Sequence, residues 1–178
     1  MFANLREDTR RLRAIKSKRF PWYVLESLLF ESGYQAVVLY RTAHWFKRRR
    51  IPFFGPLCGR LCVWLTGVDI SPGAQIGPGL MISHGQGIVV GRWARIGANA
   101  TLLHQATLGG PAVDRREEMP RLGDNILVGA GARIIGGITV GDGAIIGANA
   151  VVTQDIPGGS RVFAGGGITI KPPAELPD

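Results

Sequence analysis

Aliphatic residues return every six positions along most of this chain. They stand at Ile70, Ile76 and Ile82. After a slip of two residues they stand at Val90, Ile96, Leu102 and Leu108, and then at Leu122, Val128, Ile134, Val140, Ile146 and Val152. Neither the 3.6-residue period of a helix nor strict alternation gives this spacing over such a length. A short fixed period marks a stacked solenoid. Small residues between the aliphatics (Gly73, Gly79, Gly97, Ala100, Gly131, Ala132, Gly143, Ala150) suit tight corners. The pattern predicts a mainly β protein, a parallel β-helix with three flat faces whose rungs stack aliphatic side chains inward.

Before Ile70 the pattern is helical. Residues 22–47 carry Leu25, Leu28, Leu29, Val37, Val38, Tyr40 and Phe46 on apolar faces, with Gly33 expected to separate two helices. Lys47-Arg48-Arg49-Arg50 closes the segment, where cations suit a helix C-terminus, and Pro52 stops it. A further helix is predicted from Gly55 to Leu65. Met1 to Arg19 reads as a basic arm or frayed helix. Two regions result: a small helical region at residues 1–66 and a β-helix domain at residues 67–178. The one interruption of the repeat is a polar, charged loop, Gly109 to Pro120. A loop that breaks a strict repeat is where function is expected. The Gly- and Pro-rich tail, Pro157 to Asp178, is expected to lie against the last coil.

Charge separates the same two regions. The 178-residue chain has a formal net charge of +8. Residues 1–66 hold 13 Lys/Arg against 4 Asp/Glu, and residues 67–178 hold 8 against 9. All the excess therefore precedes the solenoid. An anionic partner such as a membrane surface is one reading of it, and a solvated helical face is the other. Nucleic acid is not expected, because no zinc-finger spacing or aromatic single-strand platform accompanies the basic run. The two cysteines, Cys58 and Cys62, share a helix face at i, i+4 and are expected buried and unbridged. Arg6 to Arg19 has no apolar run behind it, so no signal peptide is expected. Residues 51–68, interrupted by Pro52, Pro56 and Arg60, are too short to span a membrane. A cytoplasmic protein is expected, at the inner membrane face if the basic region binds there.

Three histidines are candidates for chemistry. His44 lies among aromatics on the helical segment and reads as a packed residue. His84 sits in Ser83-His84-Gly85-Gln86-Gly87, where the six-residue register slips and space opens around the ring. Asp69 is the only carboxylate between Glu31 and Asp114. It precedes His84 by fifteen residues, which allows contact across neighbouring turns. A carboxylate on one ring nitrogen makes the other a better base. Spacing alone leaves this dyad open against a capped turn. His104, near one coil further on, either faces the same cleft or is a solvent-facing rung residue.

Gly67-Val68-Asp69-Ile70-Ser71-Pro72-Gly73-Ala74, Ser83-His84-Gly85, Ala106-Thr107-Leu108-Gly109-Gly110 and Ile126-Leu127-Val128-Gly129-Ala130-Gly131-Ala132 resemble the serine O-acetyltransferase family of hexapeptide-repeat acyltransferases. The stretch Tyr34 to Trp45 is similar to the helix that precedes the coil in that family. The resemblance implies a left-handed β-helix assembled as a homotrimer, or a hexamer of two trimers, with active sites between subunits. It implies acetyl-CoA as co-substrate, a hydroxyl acceptor and no metal. On the family pattern His84 is the catalytic base and Asp69 its partner. Gly109, Gly110, Gly129, Ala130, Ala148 and Lys171 are implied in holding CoA, and His104, Glu118, Met119 and Arg116 in holding the acceptor.

The chain departs from that family at telling places. Ser83 stands where an acidic residue usually precedes the histidine. Glu118-Met119-Pro120 replaces Arg-His-Pro, whose Arg and His help hold an amino-acid acceptor. Met119 is no strong donor, and Glu118 repels a carboxylate. Arg115, Arg116 and Arg121 are the cations available to compensate. Ala164-Gly165-Gly166-Gly167 replaces Gly-Val-Pro-Ala. His104 replaces the usual Gln and is similar to acetyltransferases of exopolysaccharide synthesis, which modify sugar hydroxyls. The expected function is therefore acetyl transfer to a sugar hydroxyl in exopolysaccharide synthesis, with the basic region holding the enzyme near a lipid-linked acceptor. Serine O-acetylation in cysteine synthesis is the alternative. The tail ends Glu175-Leu176-Pro177-Asp178 without the terminal Ile that docks into cysteine synthase, so no such complex is expected. A non-catalytic trimeric scaffold is disfavoured by Asp69 and His84. A zinc-dependent carbonic anhydrase on the same coil is set aside for want of a third histidine.

Overall fold

The computed structural model describes residues 2–16, 22–112, 114–115, 118–165 and 167–171. Helices α1 (Phe2–Lys16), α2 (Trp22–Phe30), α3 (Ser32–Arg48) and α4 (Phe54–Thr66) precede the coil. The first coil is β1 (Asp69–Ile70), β2 (Gln75–Ile76) and β3 (Met81–Ser83). The second is β4 (Val89–Val90), β5 (Arg95–Ile96) and β6 (Thr101–Leu103). The third is β7 (Thr107–Gly109), β8 (Arg121–Leu122) and β9 (Leu127–Val128), and the fourth is β10 (Arg133–Ile135), β11 (Thr139–Val140) and β12 (Ile145–Ile146). The last holds β13 (Val151–Val152), a bridge from Val140 to Ile156, and β14 (Arg161–Gly165), from which β15 (Gly167–Lys171) turns back antiparallel.

These strands stack into three parallel sheets: face 1 is β1-β4-β7-β10-β13, face 2 is β2-β5-β8-β11, and face 3 is β3-β6-β9-β12-β14-β15. The molecule is the left-handed parallel β-helix expected. The tail contributes β14 and β15 to face 3 rather than merely covering the last coil.

Every repeat aliphatic from Ile70 to Val152 is buried. So is the residue two positions before each: Val68, Ala74, Leu80, Ile88, Ala94, Ala100, Ala106, Pro120, Ile126, Ala132, Ile138, Ala144 and Ala150. Each six-residue unit thus sends two side chains inward, one from the strand and one from the corner. Ala100, Ala132 and Ala150 are core residues rather than surface corner residues. Each buried Val, Leu or Ile contributes about 1.5–3 kcal/mol, and neighbouring coils add ladder bonds such as Val89 N–H to Ala106 O at 2.9 Å.

Coil length sets what stacks on what. Asp69 pairs with Val89, a spacing of 20 residues, and Val89 with Thr107, a spacing of 18. Arg95 pairs with Arg121, a spacing of 26, because the loop before Arg121 adds eight residues to a coil.

The helices are clamped to the first coil by buried charge. Arg41 Nε and Nη2 meet the Asp8 carboxylate at 2.8 and 3.0 Å. The same guanidinium donates to the Ile76 and Gly77 carbonyls, each at 2.6 Å, and Asp8 accepts from Leu80 N–H at 2.8 Å. Arg11 donates to the carbonyls of Gly79 and Ala100 at 2.6 and 2.8 Å. Part of the basic surplus is therefore structural. The helical segment breaks at Glu31, one residue before α3, and not at Gly33. Gly33 lies inside α3, where a Cβ would overlap the Ile82 carbonyl, so it permits close helix–coil packing. Cys62 is buried, Cys58 half-buried, and both are free.

Candidate active site

His84 sits at the corner between faces 3 and 1, in the coil lengthened by two residues. Its backbone is left-handed, φ 54°, a conformation that non-glycine residues adopt mainly at special positions. Gly85 passes so near the core that a Cβ would stand 2.7 Å from Val68 Cγ2, and His84 is left exposed outside it. The 20-residue coil sets Ser83 opposite Leu103, so the residues that follow, His84 and His104, are neighbours. Their ring centroids are 6.4 Å apart at 79°. Ser32, His84, Gln86, His104 and Gln105 line a cavity of about 390 Å³. His104 faces the cleft with His84, and among the described residues its buried Nδ1 has no hydrogen-bond partner.

Asp69 stands beside the exit of this corner, its N–H donating to Ile88 O at 2.8 Å. Among the described residues no hydrogen bond or ion pair joins its carboxylate to His84. The 20-residue coil sets Asp69 against Val89 in the ladder and His84 beside His104. Burial pushes the Cys62 thiol up, a hydrogen bond with Thr66 pulls it back, and the Asp69 charge adds to the rise.

The residues expected to hold CoA divide between two edges. Gly129, Ala130 and Ala148 continue the histidine corner. Gly131 N–H donates to His104 O at 2.9 Å, and Asn149 N–H to Ala130 O at 2.8 Å. A Cβ on Gly129 would stand 2.6 Å from Ala148 N, so this edge stays narrow and smooth. Gly109 and Gly110 lie at the opposite edge of face 1, where Gly109 O accepts from Gly136 N–H at 2.9 Å. Lys171 pairs along the backbone with Arg161, and its side chain lies outside the described residues.

The expected acceptor residues are also separated. Glu118 and Met119 sit at the corner between faces 1 and 2, away from the histidines. Met119 packs on the core, and a Cβ on Gly91 would meet its Sδ and Cε at 2.6 Å. Glu118 is exposed and lies 3.6 Å from Arg115. Both line a cleft of about 600 Å³ with Gln75, Arg92, Trp93, Arg95 and Arg121. Arg116 lies outside the described residues. One chain therefore brings His84 and His104 together but holds Glu118 and Met119 apart from them.

His44 is packed as expected. Its Nδ1 is 3.0 Å from Pro72 O, and burial in the first place lowers its pKa against that hydrogen bond. Among the described residues no cluster of three or more His, Cys, Asp or Glu suits a metal ion. The sequence reading missed Gln86 and Gln105, which follow the two histidines at the same corner, and Ser32, which enters only through the packing of α3. It also missed Arg92, Trp93 and Arg95. Arg95 and Arg121 occupy the outward position just before a repeat aliphatic, a signal that counting the period through the loop would have found.

The bacterial transferase hexapeptide (six repeats) family matches residues 119–154, which places the coil in the class of hexapeptide-repeat transferases. A serine acetyltransferase of Helicobacter pylori (strain ATCC 700392 / 26695) is 43% identical over 145 residues, covering 82% of this chain and 85% of the relative. One from Synechococcus elongatus is 38% identical over 163 residues, covering 86% and 67%. Among solved structures, the serine acetyltransferase of Neisseria gonorrhoeae superposes with a TM-score of 0.85 at 30% identity, covering 98% of this chain and 68% of its own. That of Brucella abortus strain S19, in complex with coenzyme A, gives 0.83 at 32% identity, covering 94% and 66%. The chain belongs to the serine acetyltransferase family and is an acetyl-CoA-dependent acyltransferase.

These relatives overturn the expectation of an exopolysaccharide-type enzyme with a sugar acceptor. That expectation rests on Ser83, His104, Glu118 and Met119, whereas the likeness to serine acetyltransferases runs through 145 residues. The reason given for holding the protein near a lipid-linked acceptor falls with it.

Proposed function

We propose that this protein is a serine O-acetyltransferase, which moves the acetyl group of acetyl-CoA to the hydroxyl of L-serine and releases CoA. The observation that carries the reading is His84, exposed at a cavity beside His104, in a chain whose relatives bear that name.

In the proposed reaction His84 accepts the proton of the serine hydroxyl as that oxygen attacks the thioester carbonyl. Gln86 and His104 are the polar side chains available to the developing oxyanion. When the carbon–sulfur bond breaks, the imidazolium returns the proton to the departing thiolate and the base is regenerated. A positioned base of this kind contributes about 10²- to 10⁴-fold. Asp69, which opens the first strand beside this corner, is proposed as the carboxylate that orients the His84 ring. The donor lies along the edge kept narrow by Gly129, Ala130 and Ala148.

The complete site is proposed to form between copies, with the loop corner of one against the histidine corner of the next. The separation of these corners on one chain supports it. So do the exposed apolar side chains of Val89 and Val151 on face 1 and of Trp22, Phe30 and Trp64 on the helices, a pattern that marks interaction surfaces. Acetyl-labelled acetyl-CoA and L-serine are expected to yield serine carrying the label on oxygen, read by mass spectrometry, from a preparation that sediments as a trimer. Unlabelled serine would sink the acceptor assignment, and an active monomer would sink the shared site.

A further inference from the structure

Among the described residues, the cleft beside Glu118 and Met119 is lined by three arginines and one carboxylate. On face 2 the outward residues Gln75, Arg95, Arg121 and Thr139 stand in register, one per coil. Arg95 and Arg121 are thus direct neighbours, and like charges set opposite each other in a sheet repel. Neither has an ion-pair partner among the described residues. Arg92, from the turn before β5, lies 5.3 Å from the Trp93 ring. Lys47 reaches the same corner from the last turn of α3, its ammonium close to where a Cβ on Gly73 would sit. Burial first, and Arg92 second, lower its pKa. Among the described residues the one carboxylate lining the cleft, Glu118, is engaged by Arg115.

Clustered cations in a concave site focus potential and draw an anion. Guanidinium forks match a carboxylate in two-point contact. Trp93 and Met119 give the cleft its apolar wall. We propose that Arg92, Arg95 and Arg121 bind the carboxylate of the acceptor amino acid, the group that Glu118 would repel. The inference rests on the serine reading above and adds the residues that set acceptor specificity. It also explains how this chain dispenses with the Arg-His pair whose place Glu118 and Met119 occupy: the positive charge has moved from the loop to face 2.

The test is steady-state kinetics of the full chain and its Arg95→Gln variant, with L-serine and with L-serinamide, which keeps the hydroxyl and lacks the carboxylate. Arg95 is exposed, so the variant is expected to fold, with an unchanged circular dichroism spectrum and melting temperature. Losing one charge-assisted contact should raise the KM for L-serine about tenfold or more. The KM for acetyl-CoA should stay within about twofold, and turnover of L-serinamide should match that of the parent. Adding Glu118→Arg to the variant should bring the KM for L-serine back down. A rise in the KM for acetyl-CoA instead would assign the cations to the nucleotide phosphates and overturn the proposal, as would an unmoved KM for L-serine. Failure of the serine reading itself shows separately, as no L-serine turnover by the parent chain.

Discussion

His84→Ala is expected to lower turnover with L-serine by two to four decades while leaving the fold and acetyl-CoA binding in place. The range is that of a lost general base, and two decades correspond to about 2.7 kcal/mol of transition-state stabilisation. The side chain is exposed and takes no part in the core, so its removal opens no cavity. Its backbone, at φ 54°, is less comfortable for alanine than for glycine. His84→Gly is therefore the companion variant, with the same kinetic loss and no backbone penalty at this position. His104 is the internal control. If it were the base instead, His84→Ala would retain turnover within a factor of a few and His104→Ala would abolish it. Retained turnover in both would mean that neither histidine is the base. Stopped-flow detection of CoA release, with acetyl-CoA affinity measured separately by calorimetry, distinguishes these results.

The second large effect concerns stability. Asp8→Ala is expected to cost about 3–5 kcal/mol, the usual consequence of stripping one partner from a buried ion pair. The Arg41 and Asp8 side chains are 3% and 1% exposed, so solvent screening removes little of the effect. Without Asp8 the guanidinium keeps its bonds to the Ile76 and Gly77 carbonyls but loses its counter-charge, and Leu80 N–H loses its acceptor. These bonds tie α1, α3 and the corner between faces 2 and 3 of the first coil, so the helices should loosen before the coil melts. Urea unfolding of the single variants and of Asp8→Leu/Arg41→Met measures the coupling. The double variant should recover part of the loss, because an apolar pair leaves no buried charge. A cost below about 1 kcal/mol for Asp8→Ala would mean that α1 does not hold this contact in solution.

The coil was legible because its physics is periodic. Each repeat aliphatic faces inward for the same reason, so one count locates all of them. The second inward position was harder to see: Ala, Leu, Ile, Val and Pro all occur there, and no single residue type repeats. His84 and His104 came together because the two-residue slip makes the first coil as long as the interval between them. Gly33 reads as a helix breaker by composition, yet its reason is the Ile82 carbonyl, which only tertiary packing supplies. Arg11 and Arg41 read as surface charge, yet both are consumed in docking helices to the coil. The acceptor was misread because a few site residues were weighed above the likeness of the whole chain, and because Arg92 and Arg95 were not seen beside Arg121. Arg95 and Arg121 become neighbours only when the register is carried through a loop eight residues long beyond the normal coil.

The most direct test of the account is release of CoA thiol by the purified protein with acetyl-CoA and, in separate reactions, L-serine or a neutral monosaccharide as the acceptor. The account predicts saturable turnover with L-serine and only the background rate with the sugar. Turnover with the sugar and none with L-serine would contradict it.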